Sequence, residues 1–281
     1  MIGIVLAALS GLVWGVGDFA GGKASQRADA LVVVVLSKAA SLPLLLLYLL
    51  LMPASASPPV LAWGAAAGVF GVLGMFVFYR ALAGGAMAVV APVSAVTTAL
   101  LPVVVGLVSG ERPGAVALSG AGCAIVAIAL VSLTPSAGAR VTRGLIGLAL
   151  LSGLMFGLFF TCLDRAGGSS GLWPIVGAQL AALAVGGYPL ARRLRSRGVP
   201  GVVLRGATLR WLVAAGALDM SANALYLLAV HRGDLSIIAP VASLYPVTTV
   251  LLAMAVDRER MRPVQLAGLG LAATALVLVA S

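Results

Sequence analysis

The chain has 281 residues, of which 62% are hydrophobic and only 9% charged, with a formal net charge of +10. A soluble domain carries roughly a quarter charged residues, so this composition leaves too little polar surface to face water. The bases sit in short gaps between long apolar blocks, which argues against a nucleic-acid surface and fits a protein whose Lys and Arg collect at one face of a bilayer.

Apolar blocks of about 20 residues, the length that crosses a ~30 Å hydrocarbon core, recur along the chain. They predict ten helical spans near residues 2–20, 31–51, 60–80, 87–109, 113–133, 144–163, 171–191, 208–230, 235–256 and 263–280. The first block has no base before it and no small-residue cleavage site, and reads as a retained span rather than a signal peptide. Turn chemistry or charge marks the gaps, as at Gly21-Gly22-Lys23, Met52 to Pro59, Gly110-Glu111-Arg112-Pro113 and Arg192 to Arg210. No gap has room for a soluble domain, and blocks without period-2 alternation exclude a membrane barrel. Cys123 and Cys162 lie inside apolar blocks without metal-ligand spacing, and read as small buried hydrophobes.

The chain repeats itself. A shift of 148 residues carries Gly85, Ala91-Pro92-Val93 and Glu111-Arg112 onto Gly233, Ala239-Pro240-Val241 and Glu259-Arg260, and Gly120 and Gly122 onto Gly268 and Gly270. A nearby register carries Leu9-Ser10-Gly11-Leu12 and Gly15 onto Leu151-Ser152-Gly153-Leu154 and Gly157. The expected domains are therefore two five-helix repeats, 1–133 and 144–281. Five is odd, so the halves insert with opposite orientation, the plan of many secondary transporters.

Odd-numbered connections carry thirteen bases: Lys23, Arg27, Arg140, Arg143, Arg192, Arg193, Arg195, Arg197, Arg205, Arg210, Arg258, Arg260 and Arg262. Even-numbered ones carry three: Arg112, Arg165 and Arg232. The positive-inside rule puts the odd connections in the cytoplasm and both termini outside.

With the repeats laid out, the chain resembles the drug/metabolite transporter superfamily, in particular its EamA-type ten-helix members. Trp14-Gly15-Val16-Gly17-Asp18-Phe19-Ala20-Gly21-Gly22 looks like the Trp-Gly start of that family. Tyr79-Arg80-Ala81-Leu82-Ala83-Gly84-Gly85, Ala91-Pro92-Val93 and Gly110-Glu111-Arg112 are similar to its third-to-fifth helix signature. Ala239-Pro240, Ser243-Leu244-Tyr245-Pro246 and Glu259-Arg260 repeat it. The resemblance covers nearly the whole chain. It implies an all-α integral membrane bundle with helices one to four and six to nine around a central cavity, and transport of metabolites or drugs, often by export. Members are commonly drawn with both termini in the cytoplasm, the reverse of what the charges of this sequence give.

Ionisable groups within spans are costly and informative. Asp219 lies well inside the eighth span, with Asn223 one turn later and Tyr226 three residues beyond; the spacing sets a carboxylate, an amide and a phenol on one helix face. The alternative reading of that stripe is helix-to-helix hydrogen bonding. Asp18 lies near the end of the first span, and Lys38 of the antiparallel second span is its expected partner, or else snorkels to the interface. Pro92 and Pro102 are expected to break the fourth span, and Pro240 and Tyr245-Pro246 the ninth. Thr97, Thr98, Thr248 and Thr249 lie beside these breaks, which either mark a mid-depth site or are kinks satisfied by hydroxyls. Trp14 and Phe156 hold matching places in the two repeats, and suit a cavity wall or lipid-facing packing. His231, the single histidine, reads as a surface loop residue. The candidate solute site is Trp14, Asp18, Tyr79, Thr97, Phe156, Asp219, Asn223, Tyr226 and Tyr245.

No zincin, nucleophile-elbow or P-loop pattern is present, so no enzyme, metal or cofactor is expected, and energy would come from an ion or solute gradient. The leading reading is a secondary transporter of the cytoplasmic membrane, with a small-molecule solute, the lipid bilayer and a coupling proton as partners. The alternatives are a passive pore and a lipid-active membrane enzyme. The glycine faces of spans five and ten suit helix packing or a homodimer contact.

Overall fold

The computed structural model describes residues 1–25, 27–52, 54–82, 87–131, 142–167, 170–197, 206–257 and 262–280. Among these it forms helices and no strand: α1 (Ile2–Ser25), α2 (Ala30–Ala40), α3 (Leu42–Leu51), α4 (Pro58–Leu82), α5 (Met87–Val108), α6 (Ala115–Val131), α7 (Arg143–Arg165), α8 (Trp173–Arg197), α9 (Gly206–Val230), α10 (Leu235–Ala242), α11 (Tyr245–Asp257) and α12 (Pro263–Ala280). Helix is the conformation that satisfies every backbone group within one segment, which lipid demands. Six helical stretches among the described residues are long and apolar enough to cross a membrane: Ile2–Ser25, Leu31–Leu51, Pro58–Phe78, Arg143–Arg165, Trp173–Arg193 and Gly206–Val230. Shorter apolar helices, Val93–Val108, Ala115–Val131, Leu235–Thr248 and Pro263–Val279, lie where the fourth, fifth, ninth and tenth spans are expected.

Two long segments are bent. Pro246 has no N–H for the Ala242 carbonyl, and the chain breaks at Ser243-Leu244 between α10 and α11. The second break is at Ser41, between α2 and α3, two residues before Pro43; the Ser41 N–H turns back to the Ala39 and Ser37 carbonyls. Pro92 and Pro102, by contrast, leave α5 a single helix, a correction to the expected break. Thr97 and Thr98 in that helix return their hydroxyls to the Val93 and Ser94 carbonyls, at 2.7 and 2.8 Å.

Helices attract each other in lipid through close packing and hydrogen bonds rather than apolar burial. Glycine supplies the closeness here. A Cβ at Gly64 or Gly68 of α4 would collide with the backbone of Pro174 or Ala178 in α8, and one at Gly216 of α9 with the Ser37 carbonyl of α2. A Cβ on Gly120 of α6 would meet Val279 of α12, and one on Gly268 of α12 would meet Val131 of α6. Gly11 of α1 faces the Ala242 carbonyl, and Gly153 of α7 faces the Ser94 carbonyl. α1 packs chiefly on α9, α4 on α7 and α8, α5 on α7, and α6 on α12.

The connections fall at two ends. At one, Asp29, which caps α2 through the Leu31 N–H at 3.1 Å, pairs with Arg193 of α8 at 2.9 Å. At the other, the Trp173 indole donates to the Ala54 carbonyl at 2.8 Å, and Arg165 donates to Ser109 Oγ. Glu111 also lies there. Its two carboxylate oxygens accept the Leu235 and Ser236 N–H groups at 2.8 and 2.9 Å, the opening amides of α10, while the adjacent Asp234 makes no capping bond. Gly106 leaves room for this, because a Cβ there would collide with Glu111. An anion at a helix N-terminus satisfies unpaired amides and the positive end of the dipole. Glu111→Ala is expected to destabilise the fold by about 1.5–3 kcal/mol, the range for hydrogen bonds to a charged group. Its thermal midpoint in detergent should fall; an unchanged midpoint would show that water replaces the carboxylate without cost.

Candidate functional site

The site begins on α1. Ile2, Val5, Leu9, Leu12 and Val16 are exposed and recur every three or four residues, a lipid-facing stripe. Asp18 is exposed too. At 3.6 residues per turn it stands about 160° around the helix from that stripe, so its carboxylate is reached from within the bundle. On this inner face Gly3, Ala7, Gly11 and Trp14 are buried, whereas Asp18 and Gly22 are exposed. The inner face is therefore closed from the Ile2 end to Trp14 and open from Asp18 to the Ser25 end. The open end is the one that holds the Asp29–Arg193 pair.

Across from Asp18 stands Asp219, near the middle of α9. A Cβ on Gly17 would contact Leu218 and the Asp219 backbone, which explains how closely α9 approaches α1 here. Asp219 Oδ2 pairs with Lys38 Nζ at 2.6 Å, and the two side chains are 32% and 22% exposed. The break at Ser41 prepares this pair. It frees the Lys38 carbonyl, which accepts Gln179 Nε2 of α8 at 2.6 Å and Ser41 Oγ at 2.8 Å; Gln179 Nε2 also reaches Ser41 Oγ at 2.7 Å. Three helices thus hold Lys38 in place. Tyr48 of α3 and Ser221 of α9 share a hydrogen bond at 2.9 Å just beyond. Asp18 lies within electrostatic reach of both Asp219 and Tyr245, the first residue of α11.

The closed end is aromatic. Trp14, Phe160 of α7 and Tyr226 of α9 are 9%, 4% and 0% exposed. Their ring centroids are 5.4 Å apart for Trp14–Phe160, 5.8 Å for Trp14–Tyr226 and 4.6 Å for Phe160–Tyr226. Buried beside them, Ser10 Oγ donates to the Ala222 carbonyl at 2.8 Å. The arrangement is an accessible cluster of two carboxylates and an ammonium, open at one end and sealed at the other by three rings. No group of three or more potential metal ligands occurs among the described residues.

The EamA-like transporter family model matches residues 1–133 and 143–281. The chain belongs to the EamA-like transporter family. It is thus a multi-pass membrane protein of a family of transporters. A solved crystal structure has the same fold, with a TM-score of 0.78 at 16% identity over 99% of this chain and 98% of the other. Among curated proteins none matches.

In this EamA-like transporter the expected site residues separate. Asp18, Asp219 and Tyr245 come together, but Lys38 pairs with Asp219, not with Asp18 as expected. The reason is packing order, since α2 lies against α9 and α8 while α1 lies chiefly against α9. Asn223 spends its amide on the Asp219 backbone carbonyl at 2.6 Å and is 6% exposed. Tyr226 donates to the Phe160 carbonyl at 3.4 Å within the aromatic seal. Phe156 packs edge-on against Phe78 at 6.3 Å rather than against Trp14, and Thr97 packs on Gly153 of α7. The Tyr79 side chain lies outside the described residues. Sequence reasoning missed Phe160, which follows Phe156 by one helical turn, and Gln179. His231 is not a plain surface residue, because its Nε2 is buried without a partner among the described residues; burial and the neighbouring Arg232 hold its pKa below the usual imidazole value.

Proposed function

We propose that this chain is a secondary carrier that moves a small metabolite or drug-like solute across the cytoplasmic membrane by alternating access, in the export direction. The observation that carries this reading is the Asp18–Lys38–Asp219 cluster, water-accessible at one end and sealed by Trp14, Phe160 and Tyr226 at the other. A carrier in one of its two end states has that asymmetry; a passive pore is open at both ends. The solute would sit against Asp18, Asp219 and Tyr245, with a coupling proton as the second ligand of the carboxylates.

Ten spans in two inverted repeats complete the proposal. Its support is the 148-residue register of the sequence and the paired glycine contacts, Gly120 on Val279 with Gly268 on Val131, which exchange under that register. Purified protein in liposomes should show saturable solute uptake that speeds up when unlabelled solute is placed on the far side, and that responds to a pH gradient. Linear uptake without that acceleration would identify a pore, and no uptake neither.

Orientation follows from thirteen bases on the odd connections against three on the even. Both termini would lie outside, and the vestibule would open to the cytoplasm. A C-terminal reporter active only in the cytoplasm should stay silent, and a bright signal refutes this orientation.

A further inference from the structure

Among the described residues, the charges around the vestibule do not cancel. Lys38 is committed to Asp219, with Nζ 2.6 Å from Oδ2. The Asp18 carboxylate is exposed, and no hydrogen bond or ion pair engages it among the described residues. The charge coupled to it is Asp219, of the same sign. Lys23, the next base along α1, lies about 140° around the helix from Asp18, with its Nζ 5.2 Å from the Phe19 ring centroid. A carboxylate left uncompensated between low-dielectric walls attracts a cation and repels an anion. Two aromatic side chains flank it: Trp14, one turn earlier on the same face of α1, and Tyr245 from α11. Aromatic rings favour organic cations.

A hard metal cation fits poorly, because Ca²⁺ takes six to eight oxygens and Mg²⁺ an octahedron, and no cluster of three candidate ligands occurs among the described residues. An anionic solute would need Lys38, and would have to displace Asp219 to obtain it.

We infer that the solute class is a small monovalent organic cation, an ammonium whose charge rests on Asp18 and whose apolar part lies toward Trp14. This rests on the carrier reading of the same vestibule and adds the sign and the anchor. Asp18 contributes the charge and Tyr245 an aromatic face, Trp14 closes the inner end, and the Lys38–Asp219 pair keeps the second carboxylate from drawing in a second cation.

The test uses three probes of similar size: benzyltrimethylammonium, benzyl alcohol and benzenesulfonate. Each is measured for equilibrium binding to the purified chain in detergent and for flux into liposomes. Benzyltrimethylammonium should bind saturably, and benzenesulfonate should not. Asp18→Asn should weaken the cation by at least about tenfold, since the charge-assisted contact is lost, while Asp18→Glu should restore much of it and both variants keep the parent's melting midpoint. Preference for the sulfonate or the alcohol, or an Asn variant that binds the cation like the parent, overturns the inference. The two readings fail separately. Flux of the sulfonate or alcohol without the cation keeps the carrier and overturns the cation, whereas cation binding without flux of any probe keeps the cation and counts against the carrier.

Discussion

Lys38→Ala is expected to abolish transport and to destabilise the protein more than the double change Lys38→Ala with Asp219→Asn. Removing one partner of a buried pair strands the other charge, at a cost of about 3–5 kcal/mol when the site is fully dry. Here the side chains are 22% and 32% exposed, so water screens part of it and about 1–3 kcal/mol is the expected loss. The double variant removes both charges and keeps an amide at 219, so its melting midpoint should lie nearer the parent's. Asp219→Asn alone should insert and fold, because the amide keeps the carboxylate's shape, but its transport should fall strongly. The thermal midpoints and initial rates of the parent, both single variants and the double variant form a cycle that isolates the coupling. Additive midpoints would mean that the 2.6 Å contact contributes nothing, and an Asn variant that transports like the parent would make Asp219 a structural residue.

Trp14→Ala is expected to break the seal. Trp14 is 9% exposed and touches both Phe160 and Tyr226. Large-to-alanine changes in packed interiors cost about 3–5 kcal/mol. The void would join the vestibule at Asp18 to the end of the bundle where Tyr226 and Phe160 meet. Liposomes loaded with solute should then leak through the variant without any gradient, whereas Trp14→Phe should leak little because a ring remains. A Trp14→Ala protein that is as tight and as stable as the parent would place the closure elsewhere.

The positions of the six long apolar helices and the fate of Tyr245-Pro246 were legible in the sequence because each follows from one local property, block length or a missing N–H. Asp219 was legible for a similar reason: an acid in mid-helix has few ways to be tolerated. Its partner was not. Neighbours in sequence suggested Lys38 against Asp18, but α9 lies between those choices in space, and only the packing of α2 on α9 at Gly216 and Ser37 decides it. Asn223 illustrates a second limit. A polar side chain in mid-helix can turn back onto its own backbone, and this one does, on the Asp219 carbonyl. The break at Ser41 was hidden because Pro43 also suits the first turn of a new helix, so the sequence read equally well as one span. Glu111 stood out only as part of a repeated Glu-Arg pair, and nothing local announces that it caps a helix 124 residues away.

On the carrier reading, the vestibule at Asp18 is open at one face of the membrane and sealed at the other. The most direct test is a single cysteine at position 18, in a chain whose Cys123 and Cys162 are replaced by serine, probed in oriented membranes with an impermeant maleimide. Labelling should be fast from the face that holds Asp29 and Arg193, and absent from the face that holds Glu111 and Trp173. Equal labelling from both faces would contradict it and describe a pore; labelling from neither would mean that Asp18 faces packed protein or lipid.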